Sequence, residues 1–485
     1  MFYRLINIFP FFILCLYPWK MMYKILKHSS IKVFSLMFGI IFLLNMNYTV
    51  LKSVRKTLAI ADLGGSAVSI PLFELFGVLP AAIFMTWFLS KILKKFSMKK
   101  VFFIILFIFI FFFIFFAGFA YPNLVLLQTI VKTPFLMQCA SMSFYIMGEL
   151  WKPALIQILF LGLINFNLSV DQAKGIYPSL MLGASLGAIF AGPLTIFCNS
   201  KVLWSLFPLT KSHWNHSLIL MMSLIFLIGL ITAFFYSHLC RHFTATGITY
   251  EKEKSFSLKE ALQFFLETKS LRLMGWIVFA DYIAYSLAEV LFLQVLKEKY
   301  PLPTDYCTFM GYLTFWHSLL TIFFALFIAP ILLKKIRWVT CAIILPVGLF
   351  LSEGIFFFFL CSESLSSSLF ALNHDSWLNI VVFLGGLLFC VCRAVKYTIF
   401  DPCKELAFVS MPPASKMKGK LIIDGLCSKC GKGMSSASTI GFVSIAQSIS
   451  GSYYMAAIFA LSICLSLILS TTKLGIELEK RALPV

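Results

Sequence analysis

Charge is scarce in this chain. Only 12% of its 485 residues are Asp, Glu, Lys or Arg, against 60% that are hydrophobic, and the mean hydropathy is +0.93. A soluble domain of this length needs more polar surface than 20 acids and 40 bases provide. Water-soluble classes are therefore excluded, and the chain reads as a polytopic membrane protein whose outward faces are solvated by lipid. A cysteine framework is missing too: the 13 Cys stand singly apart from Cys390/Cys392 and Cys427/Cys430, which points to free thiols. "CSKC" (427–430) has half the spacing of a zinc site, but no second Cys/His pair lies near it, so no metal is expected. The 7 His are scattered, His317 in the eighth span being the one placed deepest. That scatter argues against a membrane-embedded lipid-modifying enzyme, the least favoured of the function classes. A Walker A loop is also absent: five residues separate Gly425 from Gly431–Lys432, and Gly433 stands where Ser or Thr should be.

What is abundant is long apolar runs. Against the ~20 residues needed to cross the hydrocarbon core, twelve spans are expected, at 31–51, 69–90, 101–121, 137–163, 173–197, 217–239, 273–296, 308–333, 338–360, 378–400, 434–450 and 452–472. The fold class is thus an all-α integral membrane protein. The apolar piece at 5–17 contains Pro10 and no small-residue cleavage site; residues 1–30 read as a leader or interfacial segment, with Met21 or Met22 as alternative starts. Bases collect in "KILKKFSMKK" (91–100), the 240–272 linker, "KKIR" (334–337), the 401–433 loop and the 473–485 tail, whereas 361–376 has none. By the positive-inside rule that side is cytoplasmic and both termini lie there. "SKILKKF" (90–96) recurs as "APILLKKI" (329–336), and "NYTVLK" (47–52) faces "AYSLAE" (284–289), with Tyr48 opposite Tyr285 and Lys52 opposite Glu289. These matches divide the chain into two six-helix halves, 31–239 and 273–472, as in two-repeat transporters.

Three bases at the external end of the first span, Lys52, Arg55 and Lys56, contradict the charge asymmetry and need another cause. At i, i+3 and i+4 they share one helix face. Two readings fit: snorkelling toward lipid phosphates, or a polyanion site lining a cavity. The other ionisable residues within spans are Glu74, Glu149, Asp281, Glu289, Glu353, Arg393 and Lys396. Each is either paired across helices or engaged in transport, because an isolated charge there is costly. In "DPCKELAFVSMPPASKMKGKLIIDGLCSKCGKG" (401–433), Asp401 followed by Pro402 reads as an N-cap and first helical position. That would place Lys404 in a first turn, where free amides favour anions.

These residues resemble the ATP/ADP translocases, the nucleotide transporters of obligate intracellular bacteria and plastids. "NYTVLKSVRKTL" is similar to that family's first-helix signature, "FELFGVLPAAIFM" to its second helix, and "FYIMGELWKPALIQILFLGLIN" to its fourth. "LAEVLFLQVLKEKYPLPTDYCTFMG" resembles its seventh helix and the loop after it; "DPCKELAFVSMPPASKMKGKLIID" is the most specific match. The 55 Phe, with abundant Ile and Lys, also suit an AT-rich genome of the kind such bacteria carry. The resemblance implies a major-facilitator-like fold and exchange of ATP for ADP by alternating access across a bacterial inner membrane. A proton-coupled importer of NTP or NAD, with Glu149 or Glu289 titrating, is the alternative. It implies transport roles for Arg55, Glu149, Glu289 and Lys404, with Lys420 as a second candidate in the last region. Lys52 and Lys56 join Arg55 in attracting phosphates, and Tyr48, Tyr145 or Tyr285 is expected to stack on the base. No cofactor is implied, the partners are nucleotides and the bilayer, and nucleic acid is not expected. Departures from the family pattern fall at Arg55 and Lys56, where the family has Lys and Asp, and at Phe292, Leu293 and Val295, where it tends to carry Trp and two Lys.

Overall fold

The computed structural model describes residues 28–63, 65–131, 134–167, 170–210, 212–244, 258–362, 373–409, 419 and 421–482. The expected leader up to residue 27 and the candidate Lys420 lie outside them. In chain order the principal helices are α1 (Lys32–Ile60), α2 (Ser69–Leu93), α3 (Met98–Leu127), α4 (Pro134–Ile164), α5 (Leu180–Cys198) and α6 (His213–His242), then α7 (Lys269–Lys299), α8 (Pro303–Leu333), α9 (Trp338–Cys361), α10 (His374–Ala407), α11 (Ser428–Ala446) and α12 (Ser450–Leu478). Among the described residues, all but α11 are long and apolar enough to cross a bilayer. Its sequence, "SKCGKGMSSASTIGFVSIA", is rich in small and polar residues, so the expected span at 434–450 falls on a helix of much lower apolarity.

Four helices carry a π-helical turn two residues before a proline. The turns are Phe73–Val78 before Pro80, Phe116–Ala120 before Pro122, Phe324–Ile328 before Pro330 and Lys396–Phe400 before Pro402. Proline lacks the N–H that would bond the carbonyl four residues back, and its ring clashes with that carbonyl. Each affected carbonyl lies inside the widened turn, so the helix absorbs the proline rather than ending at it. In α4, Pro153 stands at the second position of a longer π segment, Lys152–Phe160.

Two compact units form. Among the described residues, the first comprises those within 28–63, 80–244 and 302–322; within it α1 is central, packed by α4, α5 and α6. The second comprises those within 65–79, 258–301 and 323–482; within it α7 is central, packed by α10, α11 and α12. Association between helices in lipid depends on close packing of small residues rather than on water exclusion, and each unit uses a glycine for it. A Cβ at Gly187 of α5 would run into the carbonyl oxygen of Phe42 in α1, and one at Gly431 of α11 would stand 2.6 Å from that of Phe279 in α7. The basic turns repeat as well: Ser97 (φ −63°, ψ 148°) precedes α3 and Arg337 (φ −60°, ψ 147°) precedes α9.

The turn after α1 passes through Leu63 at φ 49°, a left-handed conformation that costs a non-glycine residue about 1–2 kcal/mol. It is held by Asp62, whose Oδ2 accepts hydrogen bonds from Tyr121 Oη and Trp214 Nε1, both at 2.8 Å. Burial raises the Asp62 carboxyl above its ordinary range, and these two donors partly offset that.

Candidate functional site

In the first unit α1 continues as one helix through Ile60, which carries the three bases beyond the apolar run. Arg55 and Lys56 are 3% and 4% exposed and Lys52 is half-buried. Arg55 and Lys56 are thus covered by protein, and the snorkelling reading does not describe them. The Arg55 guanidinium pairs through Nη2 with Glu149 Oε2 of α4. Its Cζ lies 5.6 Å from the Tyr48 ring centroid and 5.1 Å from that of Tyr145. Lys152 places its Nζ 5.5 Å from the same Tyr48 centroid. Such contacts contribute about 0.5–2 kcal/mol each and fix the plane of a guanidinium.

The surrounding sequence explains why this geometry forms. Asn47, fully buried, donates from its amide to Ile225 O of α6 at 3.2 Å. Trp151, two residues after Glu149, donates from Nε1 to Leu44 O of α1 at 3.2 Å and packs its ring on Phe109 and Phe113. "NYT" and "GELW" are therefore the two halves of one α1–α4–α6 contact. A buried ion pair returns little net stability, but losing one partner leaves an uncompensated charge costing about 3–5 kcal/mol. Lys152 shares the Tyr48 ring with Arg55, and Lys52 and Lys56 lie within one turn of Arg55 on α1, a concentration of positive charge suited to an anionic ligand.

In the second unit Glu289 of α7 meets Arg393 of α10, Nη2 to Oε2 at 3.9 Å. The Arg393 Cζ lies 4.7 Å from the Tyr285 ring centroid and 5.3 Å from that of Phe389. Lys396, one turn on, pairs with the buried carboxylate of Asp281 and lies over Tyr282 at 4.1 Å. Lys404 does not occupy a helix start. Asp401 and Pro402 continue α10, because Pro402 widens the preceding turn instead of ending the helix, so the expected N-cap and its free amides are absent there. Lys404 Nζ instead meets Asp424 Oδ1 at 2.6 Å and Asp401 Oδ1 at 3.9 Å. Lys432 Nζ lies 3.8 Å from Glu74 Oε1.

The match to known proteins spans nearly the whole chain. Residues 15–478 match the family model described as TLC ATP/ADP transporter. The chain belongs to that family. It is 26% identical over 462 residues to ADP,ATP carrier protein 1 of Chlamydia trachomatis, covering 90% of this chain and 87% of that one. It is 31% identical over 409 residues to the chloroplastic ADP,ATP carrier protein 2 of Arabidopsis thaliana, covering 81% of this chain and 66% of that protein. In fold it is similar to a bacterial homologue of the iron transporter ferroportin in its inward-facing state (TM-score 0.61, 13% identity, 92% and 99% of the two chains). It is also similar to the nucleoside transporter NupG (TM-score 0.58, 13% identity, 91% and 99%). These are transporters of the major-facilitator kind, and the likeness establishes the fold alone.

For this TLC family member the structure separates the expected site residues into two groups. Tyr48, Tyr145, Arg55 and Glu149 come together in the first unit, with Lys52 and Lys56 within one turn of Arg55 on α1, and Tyr285 with Glu289 around Arg393 in the second. Lys404 sits with Asp401 and Asp424 at the end of α10. The residues that complete the second group, Asp281, Arg393 and Lys396, stand out in the sequence only as ionisable groups within spans. The signal for the two bases is "CVCRAVKYT", Arg393 and Lys396 three residues apart in an otherwise apolar run. Phe292, Leu293 and Val295 are buried, Phe292 against Phe389 and beside Gly385, so the bases missing from α7 are replaced by packing.

Proposed function

We propose that this chain exchanges ATP for ADP across the bacterial inner membrane as a secondary transporter working by alternating access, with both termini cytoplasmic. The observation that carries this reading is the buried Arg55–Glu149 pair clasped between Tyr48 and Tyr145, with Lys52 and Lys56 within one turn of Arg55 on α1. Membership of a family whose curated bacterial and plastid relatives are named ADP,ATP carriers supports it. A nucleotide carries its charge on phosphates, and Arg binds these through a planar fork. Glu149 neutralises Arg55 while the site is empty, and an incoming phosphate takes over that role. The same exchange of partners is assigned to Glu289, and Lys56 and Lys52 draw the polyphosphate toward Arg55.

Uptake of labelled ATP, ADP, GTP, UTP and NAD into cells expressing the protein tests this, with and without preloaded ADP and with and without an uncoupler. ATP and ADP uptake that requires internal ADP and survives the uncoupler is expected. No uptake of any of the five nucleotides would overturn the reading, and uptake that collapses with the uncoupler would replace exchange by proton coupling.

A further inference from the structure

The two glycine contacts set a register between the repeats. Phe42 and Phe279 relate α1 to α7 by 237 residues, and Gly187 and Gly431 relate α5 to α11 by 244. Applied to α1 and α7, the first spacing sets Tyr48 against Tyr285 and Lys52 against Glu289. Applied to α4 and α10, the second sets Lys152 against Lys396, the residues at which both π segments begin, and Glu149 against Arg393. Each repeat joins its central helix to its fourth by an acid and a base with the signs exchanged, the paired base on α1 being Arg55, one turn beyond Lys52 and opposite Phe292 in this register. The base is on α1 and the acid on α4 in one unit; the acid is on α7 and the base on α10 in the other.

The exchange of sign matters for an anionic substrate. Glu289, the position that the family likeness marks, repels phosphate, so the attractive group of that cluster must be a neighbouring cation. Lys396 is held in direct contact with Asp281, which is 1% exposed. Arg393 stands 3.9 Å from Glu289, farther than the ~2.7–2.9 Å of a charge-assisted hydrogen bond, and its side chain and that of Glu289 keep 18% and 14% exposure. Tyr285 and Phe389 bear on the face of the guanidinium, and a guanidinium donates hydrogen bonds in its plane, the geometry that phosphate oxygens accept. Beside it the Tyr285 hydroxyl is buried, the residue being 7% exposed, and has no hydrogen-bond partner among the described residues. A buried donor left in this state is unfavourable, and an anionic ligand on Arg393 would relieve it.

We propose that Arg393 is the phosphate-binding cation of the second repeat, that a nucleotide phosphate displaces Glu289 from it, and that Tyr285 Oη donates a further hydrogen bond to the bound phosphate. This rests on the nucleotide reading above and adds to it a residue identified by the repeat.

Two readouts on the full-length protein test it: ATP uptake into proteoliposomes loaded with ADP, and the melting temperature in detergent with and without inorganic tripolyphosphate. Arg393→Ala is expected to raise KM for ATP about tenfold or more and to abolish the tripolyphosphate shift, with Arg393→Lys recovering part of each. The double exchange R393E/E289R keeps an ion pair, so wild-type melting with KM still raised is expected. A wild-type KM and shift in Arg393→Ala, or a wild-type KM in the double exchange, would reduce Arg393 to a structural partner and overturn the proposal. Should Arg393→Ala fail to fold, the neutral Arg393→Gln and the double exchange carry the same readouts. A wild type that moves no nucleotide refutes the transport reading instead, while a protein that exchanges ATP normally with Arg393 removed refutes only this inference.

Discussion

Arg55 shows how a charge survives inside a membrane protein: Glu149 supplies the countercharge, and Tyr48 and Tyr145 supply aromatic faces. Replacing it by Ala leaves Glu149 without its partner and removes the fork. Arg55→Ala is expected to raise KM for ATP about tenfold, equivalent to ~1.4 kcal/mol, and to lower the melting temperature. Arg55→Lys retains the charge and should lose less in stability than in KM. Kinetics in ADP-loaded vesicles and thermal unfolding of the purified protein check both. At Asp62 the prediction concerns pH. Its carboxyl is raised in the folded state by burial, so the folded protein binds that proton more tightly than the unfolded chain. The resulting stability is fully present below the ordinary carboxylate range and is lost as pH rises through the folded value. The wild type should therefore gain stability relative to Asp62→Asn on acidification, read as the difference in melting temperature across a pH series. The sequence presents the three bases near the end of an apolar run, but it does not say which way they turn; the buried Arg55 finds its countercharge on an acid 94 residues away.

At the scale of the helix, the long apolar runs and the basic turns between them are legible in the chain because both follow from local composition. The π turns are not: one inserted residue rotates the following side chains by ~100°, and a helix apolar on nearly every face shows no mark of that rotation. This is why Asp401–Pro402 reads as a helix start while the structure runs α10 through it. Helix contacts give a sharper expectation. Ala at Gly187 or Gly431 forces α5 from α1 or α11 from α7, and each substitution should cost about 1–3 kcal/mol by overpacking. A Cβ at Gly348 of α9 would meet no atom of the described residues within 4 Å, and Gly348→Ala should instead be neutral or stabilising by up to about 1 kcal/mol. Melting temperatures of the three variants in one detergent provide the comparison.

For the whole molecule, exchange makes a demand that no single helix states: uptake of labelled ATP should be several-fold greater in vesicles loaded with ADP than in empty ones. Because the attraction is between exposed phosphate and partly buried cations, KM should rise with ionic strength while the maximal rate changes less. Parallel uptake series at low and high salt check this. Membrane class, the recurring basic turns and the family are already legible in the chain, since these reside in hydropathy, in short repeated motifs and in signatures such as "GELW" and "DPCKE". Which charges meet is set by packing alone. Arg55 finds Glu149, Arg393 finds Glu289, and Lys396 finds Asp281 across separations of about 94 to 115 residues, each through packing around α1 or α7. The sign of a charge is written in the chain, but its partner is chosen by the helix that packing brings alongside, because a charge in so apolar an interior is tolerated only where an opposite one is within reach.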